Sequence, residues 1–154
     1  YKNGDYVVGD EDDVYHLGDV SWHNSTKTLE ILNQLNGRIH LIKGNHDGRI
    51  LKSRDIQNRF VEITDYKEIN DNGTNIVLCH YPMPCFKNHF HGWYHLYGHV
   101  HTSFEYNMMK RCRLEMETLY GKRCDMFNVF CGLSGYRPVT LVEIEALWDS
   151  CQIK

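Results

Sequence analysis

Short apolar runs that end at polar or glycine-containing turns recur along the chain. Five of them predict buried strands: residues 13–17, 38–42, 76–79, 94–97 and 126–130. Two further segments, residues 61–63 and 66–69, alternate apolar and polar side chains, which is typical of half-buried strands. The turn signal at residues 71–73 predicts a hairpin that ends in the strand at residues 76–79.

Helical signals lie between these strands. Asn24 or Ser25 is a suitable N-cap for a helix that we expect to run to about Asn36, and Gly37 fits its end. Shorter helices are predicted at two other segments: residues 51–59 and 141–148. Residues 103–124 are polar and rich in methionine, and their pattern predicts no element. Strands that alternate with helices indicate a mixed α/β (or α+β) fold.

Composition fits a globular protein and argues against several functional classes. The chain has 154 residues, of which 42% are hydrophobic and 24% charged, so we expect one domain over residues 1–154. The net charge of −3 gives no sign of a nucleic-acid or membrane binder. No apolar run approaches the roughly 18 residues of a membrane span, and no signal-peptide pattern is seen, so we expect a cytoplasmic protein.

The numbers of cysteines and histidines bear on the redox state of the protein and on candidate sites. The six cysteines form no Cys-x-x-Cys pair, so free thiols in an intracellular protein are the simpler interpretation, with a disulfide scaffold as the alternative. Ten histidines are well above ordinary usage, and several adjoin glycine or aspartate.

Side chains of metal-ligand type follow four of the predicted strands. Asp19 follows the first, Asn45 the second and His80 the third, and the pair His99 and His101 follows the strand at residues 94–97. Because sites in layered α/β folds form at the carboxyl ends of strands, these side chains predict one shared site. Taken singly, each has an ordinary explanation as a helix cap, a turn residue or a surface histidine.

The donor types favour a catalytic metal centre over a structural one. Histidine nitrogens with Asp and Asn oxygens suit manganese, zinc, iron or nickel and disfavour a cysteine-type zinc site. Two ions about 3.5–4 Å apart can activate a water for attack on phosphorus. In that arrangement Asn45 is a ligand, His46 faces the substrate as a general acid, and Asp47 orients the His46 ring. The flanking Gly44 and Gly48 allow a sharp turn and leave room for phosphate.

The order of these motifs resembles that of the calcineurin-like metallophosphoesterases. The matching motifs are Gly18-Asp19, Gly44-Asn45-His46-Asp47, His80 and Gly98-His99-Val100-His101. The sequence segments VYHLGD and NVFCGLSGYRPVTLVEI resemble segments found in a small bacterial and phage subgroup of predicted phosphoesterases. The resemblance implies a four-layer β-sandwich flanked by helices, with two divalent metal ions at the strand ends. Manganese is the first expectation, and zinc, iron and nickel are the alternatives.

By the same resemblance, Asp19 bridges both ions. The first ion is completed by Asn45, His80 and His99, and the second is served by His101. The family's Asp-x-His motif, which gives the second ion two ligands, has no counterpart before Asp19. Four aspartates are candidates by residue type only: Asp5, Asp10, Asp12 and Asp13. We therefore expect the first strand and helix to be absent, through truncation rather than natural loss, and the second metal site to be incomplete.

For catalysis, the resemblance implies that His46 is the acid or transition-state stabiliser and that Asp47 supports it. Arg49 and Arg137 are candidates for contact with the substrate phosphate. Arg49 is equally interpretable as a surface arginine, and for Arg137 the interpretation without a substrate role is favoured. The predicted function is a metal-dependent phosphoesterase that hydrolyses a phosphate mono- or diester by attack of metal-activated water. A non-catalytic relative serving as an interaction module and a structural metal-binding domain are the alternatives. The absence of a basic stripe disfavours long nucleic acids as substrates.

Overall fold

Two β-sheets form the framework of the structure. The computed structural model describes the backbone of residues 8–151 and the side chains of residues 8–147. The first sheet is parallel, and its three strands are β1 (Asp13–His16), β2 (Arg38–Ile42) and β3 (Glu62–Thr64), in that order. The second sheet contains, in order, β4 (Tyr66–Asp71), β5 (Thr74–Cys79), β6 (Tyr94–Tyr97) and β7 (Met126–Asn128). In it β4 and β5 are antiparallel, whereas β5, β6 and β7 are parallel.

Four α-helices connect or flank these strands in the described part of the chain. They are α1 (Ser25–Leu32), α2 (Arg54–Gln57), α3 (Phe104–Tyr120) and α4 (Leu141–Cys151). Three single-turn 3₁₀ helices lie at Ile50–Lys52, His89–His91 and Cys131–Ser134. The mixed α/β class predicted from the sequence is therefore confirmed, with both parallel and antiparallel strands.

The predicted hairpin is confirmed as the pair β4 and β5. Asn72 and Gly73 both have positive φ angles, 48° and 93°, which is the backbone geometry of a two-residue hairpin turn. Cross-strand register runs from Asp71 opposite Thr74 to Tyr66 opposite Cys79. The hairpin delivers β5 to the centre of its sheet, so that the residue after β5, His80, emerges beside the end of β6.

A hydrophobic core joins the two sheets. It is built mainly from β5, β6 and β7, and it also includes Leu17 and Ile42, which lie at the ends of the first two strands of the other sheet. A second cluster packs α1 and α2 against β2, with Leu32, Leu41 and Ile56 almost completely buried. The strand ends of both sheets are thereby anchored in buried apolar contacts, which limits the movement of the loops that follow them.

Two helices differ from the predicted bounds. Asn24 caps α1 as expected, with its side chain accepting from the Lys27 N–H, but the helix ends at Leu32 instead of near residue 36. Its continuation tightens into i to i−3 hydrogen bonds, including Leu35 N–H to Leu32 O at 3.2 Å. The helix predicted at residues 51–59 is split at Ser53, which is extended with ψ at 120°.

The longest helix, α3, was not predicted. Its end signals are present, since the Ser103 side chain accepts from the Glu105 N–H and Gly121 closes the helix with φ at +62°. The apolar side is hard to recognise because Arg113 occupies a buried position on it, with its guanidinium 4.8 Å from the centre of the Phe127 ring.

Two further findings bear on the compositional expectations. In the described part of the chain, no helix has the length and apolar character to cross a membrane. The five cysteines with described side chains are all free: Cys79, Cys85, Cys112, Cys124 and Cys131.

Candidate metal centre

The loops that follow β1, β2, β5 and β6 meet at one place. Gly98 N–H donates to the His80 carbonyl at 3.0 Å, which joins the loops after β5 and β6. The loops after β1 and β2 touch through Gly18 and Gly44. A Cβ on Gly18 would lie 2.4 Å from the Gly44 nitrogen, and a Cβ on Gly44 would lie 2.3 Å from Asp19 Oδ1. Only glycine fits at these two positions with the loops so close.

Four of the residues singled out in the sequence come together where these loops meet. His80 Nε2 lies 3.1 Å from Asn45 Oδ1, 3.2 Å from His99 Nδ1 and 3.6 Å from Asp19 Oδ2. Asn45 Oδ1 is also 3.1 Å from His99 Nδ1. His80 is buried, Asp19 and His99 are partly buried, and Asn45 is exposed. We name Asp19, Asn45, His80 and His99 the donor cluster.

The hydrogen bonds of His80 fix which of its nitrogens carries the proton. Nδ1 lies 2.6 Å from the Leu17 carbonyl oxygen, which can only accept, so Nδ1 donates. In the neutral ring Nε2 then presents a lone pair toward the Asn45 and Asp19 oxygens. These acceptor atoms are balanced by a proton on Nε2, by a proton on His99 Nδ1, which lies 3.2 Å from Nε2, or by a bound cation. A second hydrogen bond that orients a histidine in this way is typical of metal ligands.

The spacing of the donor atoms also suits a metal ion. Metal–ligand bonds of about 2.0–2.2 Å place neighbouring ligand atoms roughly 3.0–3.5 Å apart, and the separations here are 3.1, 3.1, 3.2 and 3.6 Å. Among the residues that the structure describes, His, Cys, Asp and Glu alone form no group of three or more that could hold a metal ion. The donor cluster includes, besides Asp and His, the Asn45 amide, whose Oδ1 lies 3.1 Å from a nitrogen of each imidazole.

Two members of the donor cluster have unusual backbone geometry. Asp19 has φ at +56° and His99 has φ at +62°, and neither residue is glycine. Such left-handed residues cost of order 1–3 kcal/mol each and persist where the surrounding structure holds them, often at functional sites.

Asp47 holds two of the loops together. Its carboxylate is 1% exposed and accepts from three backbone N–H groups: Asp19 at 2.9 Å, Val20 at 2.8 Å and Gly44 at 2.8 Å. These are the hydrogen bonds that the Asp47 carboxylate makes in the structure, and its support of the His46 ring stays a prediction. Its place in the motif is explained by three buried donors that need an acceptor.

His46 lies at the exposed side of the donor cluster. Its backbone N–H donates to Asp19 Oδ1 at 3.0 Å, and its ring packs on the Trp22 ring with centroids 4.3 Å apart. The His46 main chain is therefore next to Asp19, and its side chain is exposed and accessible to a ligand.

His101 lies apart from the donor cluster. Its ring stacks on Phe130, with centroids 4.6 Å apart and planes at 17°, and its carbonyl accepts from Asn128 Nδ2 at 2.6 Å. The two histidines do not continue the alternation of the strand, because β6 ends at Tyr97 and both His99 and His101 have positive φ. Its role as a ligand of a second ion stays a prediction.

The two arginines proposed for phosphate contact make other interactions. Arg49 Nη2 donates to the carbonyls of Trp22 at 2.9 Å and His23 at 2.8 Å, which ties this segment to the turn after β2. Arg137 pairs with Glu143 at 2.8 Å, at the start of α4. Their contact with a substrate is not tested by these interactions.

Asp13, one of the aspartates considered as replacement ligands, binds two basic side chains instead. Asp13 accepts from Arg38 Nε and Nη2 at 2.9 Å each and pairs with His40 Nε2, also at 2.9 Å. These hydrogen bonds, chiefly that from Arg38, lower the pKa of the Asp13 carboxyl to about 2. Of the others, Asp5 lies outside the described residues.

Sequence reasoning missed the aromatic residues around the donor cluster. Trp22 packs on His46, and the Tyr81 ring lies edge-on to His80 and His99, at centroid distances of 5.0 and 4.8 Å. Their positions in the chain were a usable signal, because Trp22 comes three residues after Asp19 and Tyr81 directly follows His80.

Comparison with known proteins gives one family. A model of the calcineurin-like phosphoesterase superfamily domain matches residues 5–118. An uncharacterized protein of Methanocaldococcus jannaschii is 32% identical over 142 residues, which cover 91% of this chain and 68% of the relative. The crystal structure of a protein of unknown function from Aquifex aeolicus is similar with a TM-score of 0.65 and 29% identity, covering 95% of this chain and 81% of that one.

Proposed function

This chain belongs to the calcineurin-like phosphoesterase superfamily, and we propose that it is a metal-dependent hydrolase of phosphate mono- or diesters. The observation that carries the proposal is the donor cluster, in which the His80 tautomer is fixed so that a lone pair faces two oxygens. Manganese is the first candidate for the ion, and zinc, iron and nickel accept the same donors. When bound, such ions supply an activated water at neutral pH and neutralise charge on the phosphate.

The residues of the chain would divide the remaining work. Asn45, His80 and His99 hold an ion together with Asp19, and Asp47 keeps the loop of Asp19 against the loop of Asn45. His46, exposed beside Asp19, would donate a proton to the leaving oxygen of the ester as a general acid. A second ion between Asp19 and His101 belongs to the proposal by family resemblance.

A second candidate function is a binding module without catalysis. It is favoured by the placement of His101 on Phe130, because that leaves the second ion with few protein ligands. It is disfavoured by His46, whose exposed imidazole beside the donor cluster serves no evident structural purpose apart from its contact with Trp22.

Metal content and hydrolysis, measured on the same protein samples, test the proposal. We expect the chain equilibrated with Mn²⁺ and desalted to retain at least one ion, and Asn45→Leu to lose it, because the central oxygen donor is removed. His46→Ala should retain the metal and hydrolyse phenyl phosphate or methyl phenyl phosphate about 100-fold more slowly, because these poorer leaving groups depend on a proton from the general acid. His91→Ala, which removes another exposed histidine, is the matched control.

Each result has a clear meaning. Loss of metal in His46→Ala would make His46 a ligand instead of an acid. Metal retention without hydrolysis of either ester would favour the binding module. Equal retention by Asn45→Leu and the unsubstituted chain would refute the donor cluster as the metal site.

A further inference from the structure

Two large aromatic side chains are left exposed at the rim of the donor cluster. Trp22 is 66% exposed and Tyr81 is 46% exposed, although both rings contact cluster or motif histidines. An exposed ring is ordinary on a protein surface when it stands alone. Two of them in contact with the residues proposed to hold metal and donate a proton suggest a subsite for an apolar or planar part of a ligand.

The main chain at Trp22 is held in position, although the ring is open to solvent. Arg49 donates to its carbonyl at 2.9 Å and to the next carbonyl, that of His23, at 2.8 Å. The His23 N–H in turn donates to Ser21 Oγ at 3.1 Å. Since Arg49 directly precedes the 3₁₀ turn Ile50–Lys52, the Trp22 segment is fastened to an ordered element. A ring that is carried by a fixed main chain and packs on His46 loses less conformational freedom when another ring stacks on it.

The contact between Trp22 and His46 indicates which part of a substrate would meet the indole. A general acid lies beside the oxygen of the leaving group, so the group that departs must lie close to His46. Trp22 packs on His46 at 4.3 Å and is therefore next to the leaving alcohol instead of the transferred phosphate.

We propose that the leaving alcohol carries a planar ring that stacks on Trp22, so that the substrates are nucleoside phosphates. This inference rests on the proposed phosphoesterase function. A single nucleotide fits better than a long nucleic acid, because a protein with a net charge of −3 does not attract a polyanion electrostatically. Stacking of a base on an aromatic side chain is insensitive to the identity of the base, so purine and pyrimidine nucleotides are both accepted.

A substrate pair that differs only in the base tests the stacking. Adenosine 5′-monophosphate and ribose 5-phosphate have the same phosphorus and the same leaving hydroxyl, and each is assayed also as its methyl diester with the Mn²⁺-loaded protein. We expect kcat/KM to be roughly 5- to 100-fold higher for the adenosine ester. Trp22→Ala should abolish most of this preference, Trp22→Phe should keep part of it, and Tyr120→Ala, an exposed aromatic at the far end of α3, should not change it.

The possible results separate this inference from the proposed function. Equal kcat/KM for the two esters, with hydrolysis present, would overturn the inference and leave the phosphoesterase intact. An equal loss for both esters in Trp22→Ala would show that Trp22 only positions His46, and would also overturn it. If none of the esters is hydrolysed, the phosphoesterase proposal fails. Calorimetry then measures the binding of adenosine 5′-monophosphate and ribose 5-phosphate to test the stacking site. Equal affinities for these two compounds would overturn it.

Discussion

The close approach of Gly44 to Asp19 gives a sharp test of the donor cluster. Replacing Gly44 by alanine would place a Cβ 2.3 Å from Asp19 Oδ1 and 2.5 Å from the Asp19 nitrogen. Ordinary contacts of a Cβ begin near 3.4 Å, so the Asp19 backbone must move by about 1 Å relative to Gly44. Rotation of a flexible side chain cannot relieve the contact, because one of the two atoms is main chain.

The displacement should weaken metal binding more than it destabilises the fold. A shift of Asp19 disturbs the 2.9 and 2.8 Å hydrogen bonds from the Asp19 and Gly44 N–H groups to Asp47, which keep the two loops together. Disturbing groups that position metal ligands typically costs 10- to 100-fold in affinity. The added atom itself costs about 1–3 kcal/mol of stability, as other overpacking substitutions do.

The assay is competition for Mn²⁺ against a chelator, combined with urea unfolding of the metal-free protein. Gly48→Ala is the matched control, because it lies in the same turn and its added Cβ would meet nothing within 4 Å. We expect Gly44→Ala to bind Mn²⁺ about 10- to 100-fold more weakly and Gly48→Ala to bind it normally. Unchanged affinity in folded Gly44→Ala would refute the assignment of Asp19 and its loop to the metal site.

Two further predictions concern buried polar groups. Asp47→Ala should lower the free energy of unfolding by about 3 kcal/mol or more in urea, since three backbone donors lose their acceptor; a loss below 1 kcal/mol would contradict this role. His95 accepts from Met83 N–H and donates to the Val77 carbonyl, and burial lowers its pKa from 6.5 to about 4. The unfolded chain therefore takes up this proton first as pH falls, and stability should decrease by about 3 kcal/mol between pH 6.5 and pH 4. Urea unfolding of metal-free protein across this range, with His95→Asn as the comparison, checks this, because the variant should lose that part of the pH dependence.

The features predicted from sequence are those with local causes. Apolar runs with turn residues locate β1, β2, β5 and β6, and ligand-type residues directly after them locate the donor cluster. The features that were missed depend on contacts distant in the chain. The three donors to Asp47 include Asp19, which is 28 residues away, and no local pattern shows that its carboxylate is used in this way. Similarly, α3 was missed because the buried position of Arg113 depends on its packing on Phe127.

The constraints on the geometry of the donor cluster bear on whether this protein is a hydrolase or an inert scaffold. Asp19 and His99 have left-handed backbones, two glycines allow the loops to touch, and Asp47 joins those loops through three amides. All of these features cost stability or restrict the sequence. Their common effect is to bring the Asp19 and Asn45 oxygens together with the Nε2 atom of His80. A metal site needs its donor atoms at fixed positions, so retention of Mn²⁺ by the unsubstituted chain and its loss in Asn45→Leu are the results that separate a metal centre from an inert scaffold.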